Sequence, residues 1–555
     1  MIQTIEKSNC PLATRIVSTC LFLFVSSAAW AGVNVPPEPT LAPNDGKLLV
    51  NLARSGMAEF IKSRTDADAQ KLSPALKHLE DKLYPVSVTL RSSGQLLARS
   101  YRANSNICRS VLSASLDAMR SGNLPDKVTR AVLAAMTVEV EVHGQLRAIS
   151  ASQLRTTITR GLTGLRVQRG RMKGFVLPST STALGLSIEQ MCQSCVAQLP
   201  PIRSEKVSSE AWSVFGVRHY VGYPDGKVFQ LYRGKILLPP DTFTDKVLLR
   251  AASTAGLFLV NFQDSNGAYR TSSRQVELHE HLHATYAMAK LAKSDDGKLF
   301  SASVNKALEY ADGFLQSDKN QARILSKSSK GPAAKSPARS TAWLLLTINE
   351  LPPDPDNKAL ADKLANALVR DIVATVGPNH GIATPDQLLD WSVSLLALRT
   401  HYPRNADSAK LLAPLRKTVL AWSKSGKNLD PLIFRCLGGM PTLPKWHQID
   451  DTDLLDRRGG FVSGGTEPTT RDTANAAVCL ADSIASGDAG PERITAINKQ
   501  ILQARRFCAQ MLYRSREAYW SGQPIKMIGG LRASPQSSAV SIEACATAIE
   551  AFLLN

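Results

Sequence analysis

From Phe243 to the end of the chain, helical periodicity repeats ten times with almost no strand-like alternation between. No other feature limits the fold as strongly. The expected helices are Phe243–Phe262, Val276–Leu291, Ala302–Leu315, Ser340–Leu351, Asn357–Val376, Asp386–His401, Ser408–Ser423, Thr473–Ile484, Ile494–Leu512 and Val540–Leu554. Short paired helices cannot each bury a face alone, so they must stack on their neighbours. A glycine-plus-apolar turn recurs between them, at Gly267 to Tyr269, Gly459 to Phe461 and Gly529 to Leu531, each ahead of a small-residue-rich helix. This repetition predicts an all-α (α/α) array closed into a toroid, with an open solenoid as the alternative. Residues 319–339 carry Lys327, Lys330, Lys335 and Arg339 among Ser, Ala, Gly and Pro, and read as a mobile basic loop.

Upstream of Pro239 and Pro240 the pattern is different. A proline-rich lead-in (32–46) precedes an amphipathic helix from Lys47 to Lys62. Val86–Leu90 and Gln95–Ala98 then read as a hairpin, Ile107–Met119 as a helix and Thr137–Val142 as an alternating strand. Residues 164–170 and 173–178 form a second hairpin, and Trp212–Tyr223 with Lys227–Tyr232 a third around Asp225 and Gly226. The chain is therefore multidomain: an α+β domain over 47–236, then the toroid over 242–555.

Residues 1–31 read as a signal peptide, with Lys7 and Arg15 ahead of the apolar stretch Ile16–Val25 and cleavage near Ala31. That stretch is short of the roughly 20 residues a spanning helix needs. The expectation is an exported protein, periplasmic or extracellular. Its formal net charge of +19 favours an anionic glycan or cell-envelope polymer, with peripheral membrane contact second; export argues against nucleic acid. Beyond Ala31 lie Cys108, Cys192, Cys195, Cys436, Cys479, Cys508 and Cys545, an odd number that leaves at least one unpaired within the chain. Cys192 and Cys195 have redox spacing, but they sit inside a helix opened by a Ser187/Gln190 capping box. A redox pair belongs at the helix start, where the dipole lowers the thiol pKa.

The stretch from Gly161 to Pro178 resembles the signature hairpin of AMMECR-type domains, and the resemblance runs from Lys47 to about Tyr232. It implies the fold only. Where that family carries Leu-Arg-Gly-Cys-Ile-Gly, this chain reads Leu96 to Tyr101 without the arginine, glycines or cysteine in place. The second half resembles the α/α-toroid superfamily that includes terpenoid cyclases, prenyltransferase subunits and glycan-processing enzymes. Gly267–Arg270 with Glu280–Met288 is similar to a bacterial toroid motif, His281 taking the motif histidine and Glu280 replacing its arginine. Arg471 and Asp472 match part of a later repeat, while Ser541–Ala546 lacks the histidine. No Asp-x-Asp-Asp motif is present, which disfavours terpene cyclisation.

Chemistry is densest at Glu277, His279, Glu280, His281 and His283. In an enzymatic reading, Glu280 and His281 act as acid and base with Asp472 facing them across the ring. Arg457, Arg458, Arg471 and Tyr269 are then the substrate-binding candidates, the guanidinium forks matching carboxylates. Cofactors are not required, although His279, Glu280 and His283 spell H-E-x-x-H, and Glu309 would complete a zinc site. The plain reading is that the cluster caps a helix and His281 is hydrogen-bonded in the interior. The combined expectation is a toroid cavity that binds an anionic glycan and processes it by acid/base chemistry. The alternatives are a non-catalytic basic scaffold and a zinc-dependent hydrolase.

Overall fold

The computed structural model describes residues 36–554, apart from 64–73, 104–105, 122–123, 125–127, 201–209, 271–275, 295–297, 326–335, 377–383, most of 403–428, and 439, 441, 444, 451–453 and 465–466. The expected signal peptide, the centre of the basic loop and most of the helix expected over 408–423 lie outside the described residues. Among the described residues no helix is long and apolar enough to cross a membrane.

The first domain is built on an eight-stranded antiparallel sheet. Its strands are β1 (Val86–Ser92), β2 (Gln95–Arg102), β3 (Thr137–His143), β4 (Arg147–Ile149), β5 (Thr163–Arg169), β6 (Met172–Val176), β7 (Ala211–Gly222) and β8 (Val228–Leu231). The order is β2-β1-β3-β7-β5-β6, with β4 and β8 also paired to β7. Helices α1 (Asp45–Ser63) and α2 (Ile107–Ser121) cover one face. There Val138, Val140 and Val142 of β3 join Val86, Val88 and Leu90 of β1 in a common core. Alternation of this kind ordinarily leaves the other face in water. Here Glu139, Glu141 and His143 are buried instead. Glu141 accepts from the Ser179 N–H (3.2 Å) and hydroxyl (2.8 Å) on α3 (Pro178–Ala183). Glu139 binds Arg91 (2.5 Å) and His219 (3.0 Å), and accepts at 2.9 Å from the Tyr519 hydroxyl of the helical domain. The capping box of Ser187 and Gln190 opens α4 (Ile188–Val196) as expected. Burial pushes the Cys192 and Cys195 thiols up to about 11 and 12, which keeps them protonated and unreactive.

The second domain contains α5 (Asp245–Asn261), α6 (Leu278–Ala292), α7 (Lys298–Asp312), α8 (Pro337–Glu350), α9 (Pro355–Val376), α10 (Pro385–His401), α11 (Pro431–Cys436), α12 (Thr470–Ala485), α13 (Pro491–Met511) and α14 (Ile542–Phe552). Six of them close a ring: α6 packs on α8, α8 on α10, α10 on α11, α11 on α12, α12 on α14, and α14 back on α6. Helices α5, α7, α9 and α13 pack against this ring and share its single apolar core. The α+β domain followed by a closed α/α toroid is thus the architecture of the chain.

Two sequence expectations need correction. The stretch 319–339 is not a continuous loop. Ala322–Ile324 pairs with Leu315–Ser317 as a short hairpin, and Arg339 lies inside α8, ion-paired to Asp390 at 2.7 Å. Helix α11 has no counterpart among the expected helices, because six residues are too few to show a period. It is set instead by its ends: Asp430 caps the Leu432 N–H at 2.9 Å, and Pro431 occupies the first turn.

The repeated turns have one geometry. Gly267, Gly459 and Gly529 have φ of 89°, 84° and 88°. Each lies against the backbone of a helix outside the ring: an added Cβ would stand 2.0 Å from the carbonyl oxygen of Lys306, 2.3 Å from that of Gln503 and 2.2 Å from that of Thr254. Two residues on, a backbone N–H reaches into the next ring helix. Tyr269 N donates to His281 Nδ1 (3.3 Å), Phe461 N to Thr473 Oγ1 (3.0 Å) and Leu531 N to Cys545 Sγ (3.3 Å). The small hairpin before α8 does the same, with Ile324 N donating to Thr341 Oγ1 at 3.0 Å. Four ring helices are pinned to the preceding turn by one equivalent side chain.

Candidate functional site

The pinning residues set a register. Two positions before each of them stand His279, Arg339, Arg471 and Glu543, all in the first turn of a ring helix. Such positions, with the preceding cap residues, meet around one mouth of the ring. Arg471 Nη2 lies 3.1 Å from Asp430 Oδ2 and 2.8 Å from Asp472 Oδ1, and Arg471 Nη1 lies 3.5 Å from Glu543 Oε2. Glu543 and Arg339 are both charged neighbours of His279, and Arg339 continues the circle to Asp390 on α10. All six ring helices therefore contribute a charged or titratable group to the mouth.

One turn deeper, the equivalent positions are His283, Trp343, Asn475 and Thr547, all buried. The His283 ring stacks on Trp343 with centroids 4.0 Å apart. Below them Glu550 accepts from His283 Nε2 (2.8 Å) and from Arg435 Nη1 and Nη2 (3.2 and 2.6 Å). The side chain of Glu550 is 0% exposed, whereas that of Arg471 at the mouth is 37% exposed. Access falls steeply with depth, so chemistry on a substrate belongs at the mouth.

The electrostatics there are uneven. Burial raises Asp430, and the negative charges of Asp472 and Glu543 add to it; Arg471 opposes, and the carboxyl is left at about 6. Both Asp472 contacts to Arg471 fall on Oδ1. Burial and Arg339 lower His279 to about 4, so it is neutral near pH 7. Among the described residues the mouth carries Asp386, Asp390, Asp430, Asp472 and Glu543 against Arg339 and Arg471, both already ion-paired.

The residues singled out from the sequence do not assemble as expected. Only Asp472 and Arg471 stand together at the mouth. His281 faces α7: its Nδ1 accepts from Tyr269 N and its Nε2 donates to the Ala307 carbonyl at 3.0 Å, so neither nitrogen is left for a substrate. Glu280 closes the N-terminal capping box of α6 with Glu277. Tyr269 is buried against the His281 ring, with centroids 4.9 Å apart. Arg457 is buried and paired with Glu467 at 3.3 Å, and Arg458 lines a groove at the domain junction. The zinc arrangement fails on geometry. His279 and His283 share a helix face, but His283 is committed to Glu550 and Glu309 is exposed on α7. No metal-competent group of three His, Cys, Asp or Glu side chains occurs among the described residues. Asp430, Glu543, Asp390 and Arg339 were missed. Aligning the repeats on the pinning position identifies two of them, since it sets Arg339 and Glu543 beside His279 and Arg471.

Fold and site together define a two-domain protein in which a polar-layered α+β domain precedes an α/α toroid with an acidic mouth. No protein-family model matches the chain, and no curated protein matches it. Among solved structures, an uncharacterized protein from Pyrococcus horikoshii is similar at 18% identity, covering 34% of this chain and 96% of its own, with a TM-score of 0.29. A family 76 glycoside hydrolase from a bovine Bacteroides thetaiotaomicron strain is similar at 6% identity, covering 75% of this chain and 95% of its own, with a TM-score of 0.31. Likeness this slight transfers neither a site nor an activity.

Proposed function

We propose that the mouth of the toroid cleaves a glycan by acid/base chemistry, and that the leader over 1–31 exports the protein to its substrate. The observation that carries this reading is the sharing of Arg471 by Asp430 and Asp472, with the Asp430 carboxyl raised by its burial. A carboxyl raised by burial is suited to act as the proton donor beside a second carboxyl group. Two carboxylates touching one guanidinium nitrogen at 3.1 and 2.8 Å suit the retaining arrangement, in which the pair lies about 5–5.5 Å apart. Asp430 protonates the glycosidic oxygen as its bond to the anomeric carbon breaks. Asp472 Oδ2 bonds to that carbon. Water then displaces Asp472 while the Asp430 carboxylate takes the water proton, restoring both groups.

The balance of charge at the mouth opposes an anionic sugar at the scissile bond, because Arg471 is already held by three carboxyls and Arg457 and Arg458 are elsewhere. An uncharged or amino sugar fits it better. The net charge of +19 still favours an anionic polymer as the surrounding partner.

Release of reducing ends from uncharged, amino-sugar and uronic-acid polysaccharides tests the proposal. Wild type is expected to act on one of the first two, and Asp430→Asn and Asp472→Asn to lose at least a hundredfold in rate with binding retained. Release unaffected by both variants, or polysaccharide bound but never cleaved by wild type, sinks the enzyme and supports the scaffold.

A further inference from the structure

The turn from Tyr232 to Lys235, which follows β8 of the first domain, reaches into the segments that open two ring helices. It is closed by paired backbone bonds between Tyr232 and Lys235 (2.8 and 3.0 Å), with Arg233 and Gly234 at φ of 51° and 74°. An arginine is rarely held in that region, and the conformation persists where its surroundings over-determine it. Here they do. Arg233 is ion-paired to Asp456 (3.1 Å) and to Glu467 (2.9 Å), just ahead of α12. The Gly234 carbonyl accepts from Arg532 Nη2 (2.8 Å), and Lys235 Nζ donates to the Pro535 carbonyl (2.9 Å), both in the segment that leads into α14. The side chains of Arg233, Lys235 and Arg532 are fully buried.

Arg532 is the joint between this turn and the mouth. Its side chain binds the first domain, while its main-chain carbonyl accepts from Thr470 Oγ1 (2.5 Å). The next carbonyl, of Ala533, accepts from Thr470 N (2.9 Å). Thr470 directly precedes Arg471 and Asp472. Farther along, the same segment folds back on itself, Ala533 N donating to the Ala539 carbonyl (3.0 Å) and Ser541 N to the Leu531 carbonyl (3.3 Å). Ser541 then caps α14, which carries Glu543 into the mouth. One stretch of chain thus sets both ends of the Arg471–Glu543 contact at 3.5 Å. We propose that the Tyr232–Lys235 turn is a positioning element of the mouth, holding α12 and α14 through Arg532 so that Arg471, Asp472 and Glu543 keep their spacing. The first domain then serves the toroid as a brace. The consequence for catalysis rests on the glycosidase reading, whereas the brace itself does not.

Hydrogen exchange of the full chain, read by mass spectrometry, tests the brace without any substrate. Arg532 Nε and Nη1 have no hydrogen-bond partner among the described residues and the guanidinium lies over the Tyr513 ring at 4.0 Å, so Arg532→Met strands no carboxylate. In that variant, peptides covering 467–475 and 531–545 should exchange about tenfold faster or more, with peptides from α6, α8 and α10 unchanged. Arg532→Lys, which keeps a donor for the Gly234 carbonyl, should restore slow exchange. On the substrate that wild type cleaves, Arg532→Met should lower kcat about tenfold or more with KM little changed, because a misplaced reacting group loses rate rather than binding. Arg532→Lys should recover that rate. Thr470→Val, which cuts the same link at its other end with little change of shape, is read in the same way if Arg532→Met does not fold. Unchanged exchange at either segment, faster exchange throughout the ring, or a kcat equal to that of wild type overturns the proposal. Absence of any cleavage by wild type sinks the glycosidase reading alone and leaves exchange to decide the brace.

Discussion

Arg435 and Glu550 meet inside the helical ring from helices that are not neighbours in it, Arg435 Nη2 standing 2.6 Å from Glu550 Oε2 in full burial. Removing one partner strands the other charge in the interior. Arg435→Ala and Glu550→Ala are each expected to lose about 3–5 kcal/mol, whereas replacing both by apolar residues of similar volume costs far less. Denaturant midpoints of the three variants check this. Burial alone would raise the Glu550 carboxyl, but Arg435 and His283 outweigh it and hold it well below the usual range. A depressed carboxylate stabilises the fold above its unfolded value, about 4.3, and loses that contribution as the pH falls toward its folded value. Wild type should therefore lose stability in strong acid along a component that the double apolar variant lacks.

The mouth predicts a pH profile. If Asp430 is the proton donor, kcat falls as pH rises through about 6. Asp472 helps to raise Asp430 and Arg471 opposes it, so the two neighbours move the limb in opposite directions. In residual activity, Asp472→Asn should shift it to lower pH and Arg471→Gln to higher pH. Shifts of the same sign in both variants would contradict the assignment.

The sequence disclosed most of the fold and little of the site, for a physical reason. Helix periodicity and turn chemistry are local, and nine of the ten expected helices occur within a few residues of their places, along with the three hairpins of the first domain. Burial of the polar face of β3 is not local. Glu139 is covered by Tyr519, 380 residues away, and nothing near Glu139 announces it. The histidine cluster misled in the same way: three imidazoles in five residues point to three environments, since α6 turns about 100° per residue and only His279 and His283 share a face. Asp430, the most perturbed acid of the mouth, sits before a helix too short to have a period.

The glycine turns yield a graded stability prediction. At Gly267, Gly459 and Gly529 an alanine must adopt a positive φ and also push a methyl into a backbone carbonyl that cannot move without shifting a helix. The conformational cost is about 1–2 kcal/mol, and overpacking adds about 1–3 kcal/mol. Gly487, after α12, has φ of 77° but open space around its Cβ position. Gly487→Ala should therefore show only the smaller cost. Urea denaturation of the four single variants would refute the turn geometry if all four lost equally.

His281 is the residue for which the competing readings differ most sharply in outcome. Its Nδ1 accepts from Tyr269 N and its Nε2–H donates to Ala307, which admits only the neutral ring. Burial lowers it to about 4, the Ala307 bond only partly opposing. An unfolded histidine titrates near 6.5, so protonation favours the unfolded chain. The stabilisation is complete above about 6.5 and is lost as pH falls from there to about 4, at no more than about 1.4 kcal/mol per unit. His281→Asn keeps an acceptor for Tyr269 N but cannot titrate. It is expected to be less stable than wild type at pH 7 by about 1–3 kcal/mol, and to narrow that gap between pH 6.5 and 4. Its kcat at the mouth should be unchanged where Asp430→Asn abolishes turnover. A His281→Asn protein as stable as wild type but catalytically dead would restore the imidazole to the chemistry and remove it from the set of four pinning side chains.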